Sequence, residues 1–228
     1  MAATLYGSAP ACGSLQVPTW HSASEWESNA PVCYGDWREF TAPANLNPAL
    51  KRRSESKYSP DMTEASARVS VGQTTGFTGW VLPKLGAAGT EVRNWHCVAQ
   101  LIGPNYDGNF EGGAPVSLVV RDGRWRLEQG LLQWWHDLGP YVDGKSVYVD
   151  LNVVASEVEG QGRITGSVGG VAIDVNHKTF WHQYLVWSHG LYRGSGNVAS
   201  ADGGLQPKYA QTVFWKLLSM TRSWPLPA

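Results

Sequence analysis

Charge is scarce in this chain, so its densest run stands out: Arg52-Arg53-Ser54-Glu55-Ser56-Lys57. Two further places carry polar groups capable of chemistry. Gln100 lies near the end of an apolar run, just before the Gly103-Pro104 turn. The segment His189-Gly190-Leu191-Tyr192-Arg193-Gly194 puts a phenol and a guanidinium on opposite faces of one strand. The twelve tryptophans form a second group with a chemistry of its own. An exposed indole stacks on a pyranose ring while neighbouring Asn, Gln, Asp and His bond its hydroxyls, and the same residue type serves protein interfaces. Trp20, Trp26, Trp37, Trp134, Trp135, Trp181 and Trp187 are too many for one core, which predicts an exposed aromatic platform. Candidate glycan contacts are Trp187, His189, Arg193 and Lys57.

Other motifs fail on their context. Gly139 to Ser146 matches the phosphate-loop pattern G-x-x-x-x-G-K-[ST], but that chemistry needs a helix after the loop. Here Lys145-Ser146 opens the strand-like run Val147 to Leu151, so the match reads as a β-turn. His177, His182 and His189 lack the spacing or the converging Cys or carboxylate of a zinc site. There is no G-x-S-x-G elbow. These motifs call for no metal or cofactor.

The three polar places together resemble the jelly-roll polysaccharide lyases of the alginate, glucuronan and heparin lyase kind. That family carries an R-[ST]-E-x-R strand, a Q-[IV]-H strand and a Y-F-K-x-G-x-Y strand facing one groove. Arg53-Ser54-Glu55-Ser56-Lys57 is similar to the first, with Lys in the last Arg position. Gln100-Leu101-Ile102 keeps the Gln of the second and has Ile for its His. Gly190-Leu191-Tyr192 keeps the end of the third, with Trp187 and Ser188 at its Phe and Lys. The resemblance spans roughly residues 50 to 220 and lies in the order of the motifs more than in any one. It implies β-elimination at a uronic acid: polar groups neutralise the C6 carboxylate, a base takes the C5 proton and an acid protonates the leaving O4. By resemblance, Arg53 and Gln100 would hold the carboxylate and Tyr192 would transfer protons. His96 and His189 are the candidates to replace the missing imidazole, and neither is favoured by strand parity.

These residues need strands to carry them, and the sequence supplies strands. Alternation over Val147 to Val154 sets Val147, Val149, Leu151 and Val153 on one face. Asp122-Gly123 and Gly169-Gly170 sit between apolar runs as hairpin turns. With 26 glycines and 13 prolines, the composition suits many tight turns. The predicted fold is all-β, an antiparallel sandwich of concanavalin A-like jelly-roll type over residues 66–228. Residues 1–65 are expected to be an irregular but ordered segment packing on it, adding an edge strand or wrapping the sandwich, and one short helix is expected near Leu131 to Leu138.

The remaining arithmetic limits the setting. A formal net charge of −1 supplies no global field for nucleic acid, which is not an expected partner. Met1 to Ser24 carries neither a basic start nor a continuous apolar core, so no signal peptide and no membrane span are read there. Of the three cysteines, Cys12 and Cys33 could pair and Cys97 sits in an apolar run, which favours a reduced protein made in a cytoplasm. Three readings follow. The leading one is a lyase-like, carbohydrate-binding jelly roll that contacts a surface polysaccharide as a minor tail component of a bacteriophage virion, alongside other chains of that assembly. The second is an active polysaccharide lyase in which Tyr192 is both base and acid. The third is a structural subunit whose tryptophans serve protein contacts alone.

Overall fold

The computed structural model describes residues 2–4, 26–28, 32–42, 51–57, 68–86, 95–103, 113–129, 134–193 and 211–223. Its strands are β1 (Ala2–Thr4), β2 (Trp26–Ser28), β3 (Val32–Tyr34), β4 (Trp37–Ala42), β5 (Lys51–Lys57), β6 (Thr74–Lys84), β7 (Trp95–Ile102) and β8 (Val116–Arg121). They continue as β9 (Arg124–Gln129), β10 (Trp134–Pro140), β11 (Val147–Val154), β12 (Gly162–Val168), β13 (Val171–His177), β14 (Val186–Arg193) and β15 (Gln211–Ser223). One sheet runs β13-β12-β11-β6-β15-β4-β3, with β1 also on β15, and the other runs β10-β9-β8-β7-β14-β5-β2. Every pairing is antiparallel except β2 with β5. The two sheets face each other as a sandwich, as the strand and turn pattern predicts.

Both predicted hairpins form. Arg121 pairs with Arg124 around Asp122 and Gly123, whose φ values of 52° and 72° suit the mirror-image turn that matches strand twist. Gly169 and Gly170, at φ 58° and 87°, do the same between β12 and β13. The phosphate-loop look-alike is a turn leading into β11, and its Asp143 has a structural task. One carboxylate oxygen accepts the backbone N–H groups of Leu85 at 2.7 Å and Gly86 at 3.0 Å, and the Tyr141 hydroxyl donates to the same oxygen. Burial and that carboxylate push the Tyr141 phenol well above its ordinary pKa.

The inner faces of both sheets meet in one apolar layer. Phe40, Phe77, Leu101, Leu118, Leu127, Leu151, Ile164, Trp187 and Trp215 are buried in it. The indoles of Trp187 and Trp215 both find acceptors for their N–H groups. Trp187 Nε1 donates to Thr75 Oγ1 at 3.0 Å, and Trp215 Nε1 to the Val98 carbonyl at 3.1 Å.

One expectation changes. No helix occurs at 134–138: Trp134 to Asp137 pair with Gln129 to Arg126 of β9, and the side chains alternate, with Leu138 buried and Trp135 exposed. Cross-strand pairing overrides a locally helix-like run of Leu and Trp. The sheets also draw strands from both sides of residue 65, since β4 lies between β15 and β3, and β5 between β14 and β2. Cys97 is buried and its thiol donates to the Ala99 carbonyl at 3.3 Å, whereas Cys12 lies outside the described residues.

Candidate functional site

The polar places found in the sequence all fall on the seven-stranded sheet, on neighbouring strands β5, β14 and β7. Residues directly opposite one another in paired strands share a face. Two rows cross the sheet on its outer side. One runs from position 57 through Ser188, Gln100, Ser117 and Glu128 to Trp135. The other runs from position 53 through Tyr192, Cys97, Val119 and Arg126 to Asp137.

A bulge makes this face. Cys97 pairs with Val119 and Ala99 with Leu118, so Val98 is an extra residue in β7. Across the other edge His189 pairs with Ala99 and Tyr192 with Cys97, and Gly190 takes a φ of 139° there. Strict alternation from Gln100 would set His96 beside it. The extra residue reverses the parity, sending Trp95 and Cys97 outward and His96 inward, where His96 Nε2 meets Gln211 Oε1 of β15 at 3.1 Å.

Trp187 and His189, expected to touch glycan, are core residues. Trp187 packs on Phe77 with ring centroids 5.1 Å apart. His189 is fully buried among Phe40, Phe77 and Trp215, with ring centroids 5.4, 5.9 and 6.0 Å away. Burial, helped by the Arg38 charge, pushes its pKa down to about 3, so it is a neutral imidazole that neither meets sugar nor faces Gln100. Both belong to the inward set of β14, and the sequence signal of an aromatic and a histidine on one strand does not distinguish a core face from a wet one. His136 is opposite the buried Leu127 and also lies on the inward set. Thus no histidine of the described strands shares the face of Gln100 and Tyr192.

Gln100, Ser117 and Ser188 form a buried polar floor. The Ser188 hydroxyl has no hydrogen-bond partner, an exception to the usual satisfaction of buried polar groups. Tyr192 is half-buried, its ring edge-on to Trp95 at 4.9 Å. Arg53 is the register partner of Tyr192 and Lys57 that of Ser188, while Arg193 is opposite Arg52 and His96. Ile102 follows Gln100 by two positions, so the Gln side of β7 has an aliphatic group where the lyase pattern has imidazole.

Toward β9 and β10 the face becomes ionic and aromatic. Glu128 accepts from Trp95 Nε1 at 3.2 Å and lies 3.5 Å from Arg121. Arg126 lies 3.2 Å from Asp122, and its guanidinium carbon is 4.7 Å from the centroid of the Trp135 ring. Arg124 grips both oxygens of Asp137 at 2.9 and 2.8 Å, and that bond holds the Asp137 carboxyl below its ordinary pKa. Trp95, Ser117, Arg126 and Glu128 are missing from the sequence candidates. The signal for the last two was present in the alternation Arg124, Arg126, Glu128 after an Asp-Gly turn. Of the tryptophans proposed as a platform, Trp37, Trp134 and Trp181 are half-buried and Trp135 is exposed; Trp20 lies outside the described residues.

Among the described residues no group of three or more His, Cys, Asp or Glu is placed to share a metal ion, and no helix is long and apolar enough to cross a membrane. No family model and no curated protein matches this sequence. Solved structures do match its fold. An alginate lyase of polysaccharide lyase family 7 superposes with a TM-score of 0.56 at 16% identity, over 83% of this chain and 80% of that one. A family 7 alginate lyase from Zobellia galactanivorans gives 0.54 at 17% identity, over 89% and 83%. An endo-β-1,4-glucuronan lyase from the fungus Trichoderma reesei gives 0.55 at 12%, over 81% and 80%. At such identities the likeness is one of fold: the sandwich is the jelly roll found in these polysaccharide lyases.

Proposed function

We propose that this chain binds an acidic, uronate-containing polysaccharide across the outer face of the seven-stranded sheet and does not cleave it. The observation that carries this reading is the division of polar groups between the two sides of that sheet. Gln100, Ser188 and Tyr192 belong to the outer side, with Arg53 and Lys57 as their neighbours in register, whereas the histidines of β7, β10 and β14 belong to the inner side. Amide, hydroxyl and cationic groups suit a carboxylate and ring hydroxyls. Elimination asks for more, namely a base for the C5 proton and an acid for O4. Ile102 offers neither, and Ser188 supplies no cation where the lyase pattern has Lys.

Tyr192 is what favours the second reading. A phenol opposite Arg53 in register could serve as base and then as acid, making the chain an active lyase. Alginate and β-1,4-glucuronan are the polymers to test, because the structures of similar fold are lyases named for them. Purified protein is mixed with each polymer, binding is followed by calorimetry, and unsaturated uronate is followed by its ultraviolet absorbance. Heat of binding with a flat absorbance trace is the expected result. Absorbance that grows with time and is lost in Tyr192→Phe would establish the lyase instead. The finer setting, a virion tail component contacting host glycan among other tail chains, rests on the sequence expectations; antibody labelling of purified virions tests it, and unlabelled tails would dismiss it.

A further inference from the structure

The row through Gln100 does not stop at the polar floor. It continues over Ser117 and Glu128 to Trp135, three strand spacings from Gln100, or roughly 14 Å. Trp135 is 54% exposed on a strand whose neighbouring Leu138 is buried. An exposed indole is normally mobile and costly to order on binding. This one is held from one side by the Arg126 guanidinium, itself fixed by Asp122. The surrounding cations are matched by acids, Arg124 by Asp137 and Arg121 by Glu128, so this end of the sheet is locally neutral. Beneath the ring Arg126 and Glu128 also face each other, with Arg126 Nη1 4.0 Å from Glu128 Oε1, which further fixes the guanidinium.

We infer that Trp135, backed by Arg126, is a stacking subsite for a sugar ring of the same polysaccharide, distant from the carboxylate-binding floor. The inference rests on the proposed glycan-binding reading and extends it with a division of labour. The amide and hydroxyls of the floor, with Arg53 and Lys57 as register neighbours on β5, select acidic sugars, and Trp135 takes the apolar face of a sugar further along the chain. A long chain should therefore use both places, and a disaccharide is too short to cover three strand spacings.

Calorimetry with an alginate disaccharide and an alginate octasaccharide tests this on the full chain. Trp135→Ala should weaken octasaccharide binding by roughly five- to tenfold and leave disaccharide binding unchanged. Trp135→Phe should retain most of the affinity. Trp80→Ala, an exposed tryptophan on the other sheet, should change neither. Equal octasaccharide affinity in wild type and Trp135→Ala overturns the subsite. So does an equal loss for both ligands, which would mean a general disturbance of the sheet. Failure of wild-type protein to bind either alginate or glucuronan would remove the glycan-binding reading and the subsite with it.

Discussion

At the scale of single residues, position decides chemistry more than type does. His189 shows this sharply: neither of its ring nitrogens has a hydrogen-bond partner, and aromatic rings surround it. Its folded pKa lies near 3 and its ordinary value is 6.5. Between those values the unfolded chain takes up a proton that the native site refuses, so stability falls as pH drops from 6.5 toward 3. The slope from this one group is about 1.4 kcal/mol per pH unit. Urea melts of wild type and His189→Leu between pH 7 and pH 4 check it. The variant should be at least as stable at pH 7, because its side chain is of similar size and leaves no polar atom unpaired, and it should lose less on acidification. Parallel pH profiles for the two proteins would contradict the assignment.

At the scale of elements, hairpins were the most legible part of the sequence, because Asp122-Gly123 and Gly169-Gly170 set their geometry locally. Gly123 sits at φ 72°, where a side chain is strained, so Gly123→Ala should cost about 1 kcal/mol in chemical denaturation. No loss on that substitution would mean the turn relaxes freely. Bulges and pairing partners were much less legible. The extra residue at Val98 changes which of β7's side chains are wet, and no local pattern announces it. The same limit hid β10, whose strand character comes from β9 lying beside it, whereas β5, locally a run of charges, was readable as a strand only through the lyase resemblance. Gln100 and Tyr192 could be singled out from their motifs. Their relation to Trp95, Arg126 and Glu128 follows only from register.

At the scale of the whole molecule, the sheets are closed by partners far apart in sequence. β15 lies between β4 and β6, and β14 between β5 and β7. Contacts of such sequence separation form late, so refolding from denaturant should take milliseconds to seconds. Stopped-flow tryptophan fluorescence, reporting burial of Trp187 and Trp215, would measure it. A chain ending after residue 210 lacks β15 and should show no cooperative thermal transition, since β4 and β6 lose their common neighbour. A cooperative melt in that truncated chain would show that the sandwich closes without it.

The place of β15 bears also on how the protein is made. Synthesis delivers β4 and β6 long before the strand that will lie between them, and β5 and β7 long before β14. Until β14 and β15 leave the ribosome, both half-built sheets present open edges on which other nascent chains can settle. Its yield in a cell should therefore respond to the speed of translation and to the supply of chaperones more than to the stability of the finished sandwich.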